Sequence, residues 1–453
     1  MYEQNARHAA GTQLLPQSQS THPRQRPCVR LVRTVAAALT VFALTGLATA
    51  QEATLDTGDT AWLLTSTALV LMMSIPGLAL FYGGLVRKKN VLGTLLQTFA
   101  VTALVSVIWF AFGYSLAFTS NDSAGLNGFI GGLSKAFFSG ITTDSLVGTI
   151  PELLFAVFQM TFAIITPALI LGSLVERIRF SSVLWFTGLW VTFVYSPIAH
   201  WVWGGGLLGN AGVLDFAGGN VVHINAGVSA LVAALILGKR KDLGKTAIEP
   251  HNLVLTLIGA ALLWVGWFGF NAGSALGANG LAAAAMVNTQ VATAAAALAW
   301  MFIEWAWRGR PTMLGTTSGA VAGLVAITPA AGFVAPLGAF IIGICGAGFA
   351  YLAAVQLKKI LGYDDSLDVF GIHGVAGLVG AVLTGVFAST AINPASAGAN
   401  VGTQVYGVLI TVAYSAASTA LLMLLIKAFG GLRVPEEHEE AGLDLAIHGE
   451  AVI

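Results

Sequence analysis

Two histidines stand alone in apolar surroundings, each opening the same short phrase: His223-Ile-Asn-Ala226-Gly227 and His373-Gly-Val-Ala376-Gly377. On a helix, residues three and four further on share a face with the first. Each imidazole therefore tops a stripe of small residues against which another backbone can pack closely. Imidazole can relay a proton, present a hydrogen-bond track or ligate a metal. An ionisable group at bilayer depth is a functional candidate by default. Two in matching local sequence suggest an internally repeated membrane protein that sets both on one pathway.

Aromatic groups at element ends form the second set. Phe158-Gln-Met-Thr-Phe162 carries rings on adjacent turns, Trp203 precedes three glycines, Asp215-Phe-Ala-Gly-Gly leads into the His223 segment, and Gly266 to Ser274 includes Phe270. Such aromatics commonly mark the membrane interface. Phe162, Trp203 and Ser274 lie near glycines that thin the surrounding wall, and an aromatic box with one hydroxyl can also hold a small cation without a counter-charge. His200, beside Trp201, and His251, after Pro250, read as local hydrogen-bonding groups, and Glu176 with Arg177 as a loop anchor.

The elements that must position these groups are membrane helices. Charged residues make up 9% of the chain, against about a quarter in soluble domains, and the mean hydropathy is +0.80. The 54 glycines let helices approach without a hydrophobic drive between them. Two cysteines cannot build a disulfide framework. Residues 1–50 read as a cleavable signal peptide: Arg24, Arg26, Arg30 and Arg33 precede an apolar run from Val35 to Leu47, and Ala48-Thr49-Ala50 fits cleavage before Gln51. Residues 51–430 are expected to form the membrane-spanning domain and 431–453 a cytoplasmic tail.

Apolar segments of spanning length predict eleven membrane helices, roughly over 60–82, 91–118, 152–175, 181–201, 219–238, 252–272, 284–305, 313–329, 336–357, 369–389 and 404–428. With that count, every lysine and arginine beyond residue 51 except Lys135 falls on one side, which positive-inside bias makes the cytoplasmic side. The mature N-terminus is then outside and the C-terminus inside a cell membrane. His223 falls in the fifth span and His373 in the tenth. Two halves of five helices are necessarily inverted relative to each other, and substrate sites of such repeats lie at their interface. The fold class is thus all-α integral membrane: an inverted five-plus-five repeat with an extra C-terminal helix.

Longer motifs carry a family resemblance: Ile75-Pro-Gly-Leu-Ala-Leu-Phe-Tyr-Gly-Gly84, Glu176-Arg-Ile-Arg-Phe180, Val202-Trp-Gly-Gly-Gly-Leu-Leu208, Leu214-Asp-Phe-Ala-Gly-Gly219, Asp368-Val-Phe-Gly-Ile-His-Gly374 and Gly431-Leu-Arg-Val-Pro-Glu-Glu437. In order and density they resemble the ammonium transporter (Amt/Mep/Rh) family, in its bacterial Amt branch. The resemblance implies an outer cation site of Trp203, Phe162 and Ser274 with Phe158 beside it, and a gate of stacked rings from Phe162 and Phe270. It also implies that His223 and His373 are paired pore histidines and that Asp215 is a buried acid supporting the vestibule. A bacterial inner-membrane homotrimer, one pore per subunit, and a PII-type signal protein on the inner face are further implications, as is a place in nitrogen assimilation. No enzymatic activity, cofactor, metal or nucleic-acid partner is expected.

The chemistry has its own logic. Ammonium and potassium share size and charge, but only ammonium offers directional N–H donors and a proton it can lose. Carrying an intact ion into an apolar lumen costs many kcal/mol, whereas neutral ammonia crosses cheaply. The histidines are expected to share one proton between facing ring nitrogens, since two adjacent imidazolium ions would repel. An ion-coupled carrier of another small cation or amine is the alternative, and it would need a carboxylate at the site or unwound half-helices with Gly/Pro breaks. Metal chemistry at the histidines would need a third ligand in the same plane.

Overall fold

A chain surrounded by hydrocarbon must satisfy its own backbone, so its spanning elements are helices. The computed structural model describes residues 54–452, and the signal-peptide reading lies outside them. The helices are α1 (Thr57–Leu85), α2 (Lys88–Phe118), α3 (Glu152–Leu171), α4 (Phe180–Asn210), α5 (Gly219–Leu237), α6 (Leu253–Gly273), α7 (Gly280–Arg308), α8 (Met313–Ile327), α9 (Pro336–Leu361), α10 (Phe370–Phe387) and α11 (Val401–Phe429). Two short ones, α12 (Glu436–Ala441) and α13 (Leu443–His448), follow. The only described strands, β1 (Leu146–Val147) and β2 (Ile150–Pro151), make a small hairpin.

Among the described residues ten helices are long and apolar enough to cross a membrane, and the span expected over 313–329 is the exception. Helix α8 has 15 residues, about 22 Å at 1.5 Å per residue, and then gives way to turns. Its residues from Val321 to Ile327 are almost wholly buried. Protein rather than lipid surrounds this end, and there irregular backbone is tolerated.

Side-chain caps fix several helix starts. Asp56, Asn252, Asn279, Thr312 and Asn400 each accept amide hydrogens from their first turns, the role these residue types favour. Helix α1 packs against α6 and α5 against α10, so partners hold equivalent places in the two sets of five. Large apolar side chains such as Trp185, Phe193, Leu409 and Phe429 remain exposed on the outside of the bundle.

The two ends differ. At the basic end the buried Glu176 carboxylate accepts from the Arg87 amide at 2.9 Å and from Asn90 at 3.0 Å, and pairs with Arg87 and Arg240 at 3.0 Å each. Arg240 also pairs with Asp364 at 2.9 Å. The fully buried Arg177 donates to the carbonyls of Gly238 and Asp364 and to the Ser366 hydroxyl. This is the anchor expected of Glu176 and Arg177, and it joins the loops after α1, α3, α5 and α9. The tail closes over them: the Asp444 carboxylate accepts from Leu92 and Gly93 at 3.0 and 2.7 Å, capping the first turn of α2 from elsewhere in the chain. At the other end Lys135 pairs with Glu152, which also accepts from Tyr114 at 2.7 Å. His200 there bonds the carbonyls of Ala117 and Asn127, the local role expected of it.

Candidate functional site

The His223 segment is held by an acid. Asp215 is buried, and its two carboxylate oxygens accept from the amides of Gly218 (2.8 Å), Gly219 (2.6 Å), Asn220 (2.7 Å) and Val221 (3.2 Å). These are the donors a helix start leaves without partners. Gly218 turns the chain into the helix at φ 120, where a side chain would be strained. Both α5 and α10 begin with a wide π turn, and each turn contains its histidine.

Helices α5 and α10 cross through glycine. A Cβ on Gly227 would stand 2.2 Å from the Gly374 nitrogen, and one on Gly377 would stand 3.0 Å from the Cβ of His223. That close approach brings the imidazoles together. Their Nδ1 atoms are 3.3 Å apart, their ring centroids 5.4 Å, and the planes differ by 21°. A bond between two Nδ1 atoms needs one ring to donate and the other to accept. Trp267 stacks on His223 at 5.4 Å and is itself held by Thr328 through its indole N–H.

A chain of rings leads away from the pair. Phe270 lies 5.9 Å from His223, and Phe162 lies 4.3 Å from Phe270 at a 37° tilt. Beyond Phe162 is a cavity of about 330 Å³ at the end of the protein bearing Lys135, and Phe118, Phe155, Gln159, Phe162, Trp203, Phe216 and Ser274 help to line it. Phe162 and Trp203 stand at 84°, centroids 5.8 Å apart. The Trp203 N–H donates to the Asp215 carbonyl at 2.9 Å, and the Ser274 hydroxyl donates to the Phe270 carbonyl at 2.7 Å, which leaves the Ser274 oxygen free to accept. At the opposite end Ile372, next to His373, lines a second cavity of about 440 Å³ together with Phe81, Asp368, Lys358, Glu304 and Arg240. The geometry suits a small cation held by ring faces and one oxygen, followed by an apolar passage with imidazole nitrogens as its polar relief.

All eight candidates lie along this route, though not in equal positions. Trp203, Phe162 and Ser274 share the cavity. Phe158 does not line it; it packs behind Phe162 at 5.0 Å and against Gly273. Asp215 spends its carboxylate on amides. Sequence reasoning passed over Gln159, Trp267 and Asp365. Asp365 is buried and accepts from the Phe370 amide at 2.7 Å, at the turn that bears His373. A signal was available: Asp365 precedes His373 by the same interval that separates Asp215 from His223.

The model of the Ammonium Transporter Family matches residues 61–453. An ammonium transporter of Aquifex aeolicus is 53% identical over 426 residues, which is 91% of this chain and 96% of the relative. The crystal structure of Saccharomyces cerevisiae Mep2 is similar with a TM-score of 0.77 and 38% identity, covering 84% of this chain and 88% of Mep2. A protein described as a sensor Amt protein matches with a TM-score of 0.79 at 29% identity, covering 86% and 98%.

Proposed function

The chain belongs to the ammonium transporter family, and from this premise we propose that it recognises ammonium in the 330 Å³ cavity, where the ion gives one proton to solvent water and leaves as ammonia, and that it passes the ammonia along the paired histidines. Trp203 and Phe162 attract the cation through their ring faces, an effect of about 2 kcal/mol when desolvated, and Ser274 accepts one N–H. Phe162 and Phe270 close the cavity against water. Asp215 supports the site by fixing the turn of α5, without touching the substrate. The homotrimer and a PII-type partner on the basic face follow from family resemblance, and a sensing role is in keeping with the sensor Amt relative. Positive-inside bias puts the basic end in the cytoplasm of a bacterial cell and the cavity of Trp203 outside.

One observation carries this reading: both imidazoles are buried, His223 at 1% and His373 at 4% exposure, and they touch each other behind a wall of rings. A permanent ion would gain nothing from such a passage. The ion-coupled alternative is weaker because no carboxylate is among the residues lining the cavity, and Asp215, next to the lining Phe216, is already committed to four amides. Purified protein in liposomes should take up a methylammonium tracer, and ammonium but not potassium should compete. Equal competition by potassium would contradict the selectivity mechanism.

A further inference from the structure

The outer cavity contains a polar group that the aromatic box does not use. Gln159 lines the cavity, is 8% exposed, and its Oε1 has no hydrogen-bond donor in the protein. Buried amide oxygens almost always find a partner, so an orphan asks where its donor comes from. On α3, Phe155, Gln159 and Phe162 share one face by their spacing of four and three residues, and all three border the same space. The other polar hydrogens are occupied, that of Trp203 by the Asp215 carbonyl and that of Ser274 by the Phe270 carbonyl. Among the other side chains lining the cavity, only Ser274 offers an acceptor to a cation that arrives with four N–H groups and has lost its water.

We propose that Gln159 is the second acceptor of the substrate cavity and a specificity-determining residue for cations that carry N–H donors. The proposal rests on the ammonium reading above. The terminal torsion of glutamine is broad and nearly two-fold, and its two ends are alike in shape. A half-turn therefore presents the carbonyl oxygen to the cavity when a donor is there to meet it. A neutral amide suits this purpose. A carboxylate would attract any cation by charge, whereas an amide oxygen favours a guest with a directed N–H.

Gln159→Met keeps the length of the side chain and removes both polar ends. In liposomes containing the full chain, the ammonium concentration that halves methylammonium uptake should rise about tenfold, the loss of one hydrogen bond to a charged group. The thermal midpoint should hold or rise, because an unpaired buried amide has gone; a purely structural glutamine would lower it. Gln159→Glu should act the opposite way, lowering the ammonium concentration and letting potassium compete. Unchanged ammonium competition in Gln159→Met overturns the proposal. If that variant does not fold, Gln159→Glu decides, and wild-type-like competition by both ions overturns it. The unaltered chain separates the two claims: no ammonium-competed uptake there removes the transport reading itself, whereas normal wild-type uptake with silent variants removes only the role of Gln159.

Discussion

At the scale of single residues, the site mixes polar atoms with fixed partners, such as the Asp215 carboxylate, and buried ones without any, such as Gln159 Oε1, His223 Nε2 and Asp365 Oδ1. Asp215 and Asp365 show how different two similar acids can be. Asp215 receives four amides, while Asp365 receives that of Phe370 on one oxygen and leaves the other bare. Burial, with a smaller contribution from Asp368 against the attraction of Lys358, pushes the Asp365 carboxyl up to about 6. Its folded form therefore holds a proton that the unfolded chain releases near pH 4, and stability falls as pH rises from about 4 to about 6, by up to roughly 3 kcal/mol. Glu176 and Asp364 work in the other direction. Burial alone would raise both, but Arg240, with Arg87 at Glu176, outweighs it and holds them below the usual carboxylate range. Their contribution is present above about pH 4 and is lost in stronger acid. Asp365→Asn should flatten the melting temperature between pH 4 and 6 and leave the acid limb intact; a slope like that of the wild type would remove Asp365 as its source. The histidines were legible in the sequence because a lone imidazole in an apolar run is conspicuous. Asp365 was not, since Asp364, Asp365 and Asp368 look alike as letters and only the fold separates the arginine-paired one from the orphan.

At the scale of elements, the crossing of α5 and α10 sets the distance between the rings. The Gly227 position meets backbone atoms of Gly374 at 2.2 and 2.3 Å, and backbone cannot yield as a flexible side chain would. Gly227→Ala should cost more than the 1–3 kcal/mol typical of overpacking, read as a fall in melting temperature together with lost uptake. Gly280→Ala, where nothing lies within 4 Å, should change stability by about 0.5 kcal/mol or less. Equal effects at both glycines would show that the crossing is looser than it looks. The small-residue stripe after each histidine made this contact foreseeable. The shortness of α8 was not, because an apolar run does not reveal whether lipid or protein will surround it. Nor did the aromatic pattern separate Phe158, which backs the cavity, from Phe162, which lines it.

At the scale of the whole molecule, a stretch of packed rings and one imidazole pair lies between two cavities. The basic end is bound together by Glu176, Arg177, Arg240 and Asp364 and covered by the tail, so the loop after α5 and the loop before α10 share one ionic network. Membrane character and ten of the eleven expected spans were readable from hydropathy, because the bilayer imposes them on every segment. The contacts between loops far apart in sequence, such as Asp444 on the start of α2, have no local signature and appear only in the folded chain. On the proposed mechanism a guest must lose its charge to pass. Rubidium has potassium's charge and nearly its size and no proton to give up. Its tracer flux into liposomes should match that of empty vesicles for the wild-type protein and become measurable for His223→Asp, whose carboxylate would draw water and cations into the passage. Rubidium entry through the wild-type protein at a rate comparable with methylammonium would contradict the claim.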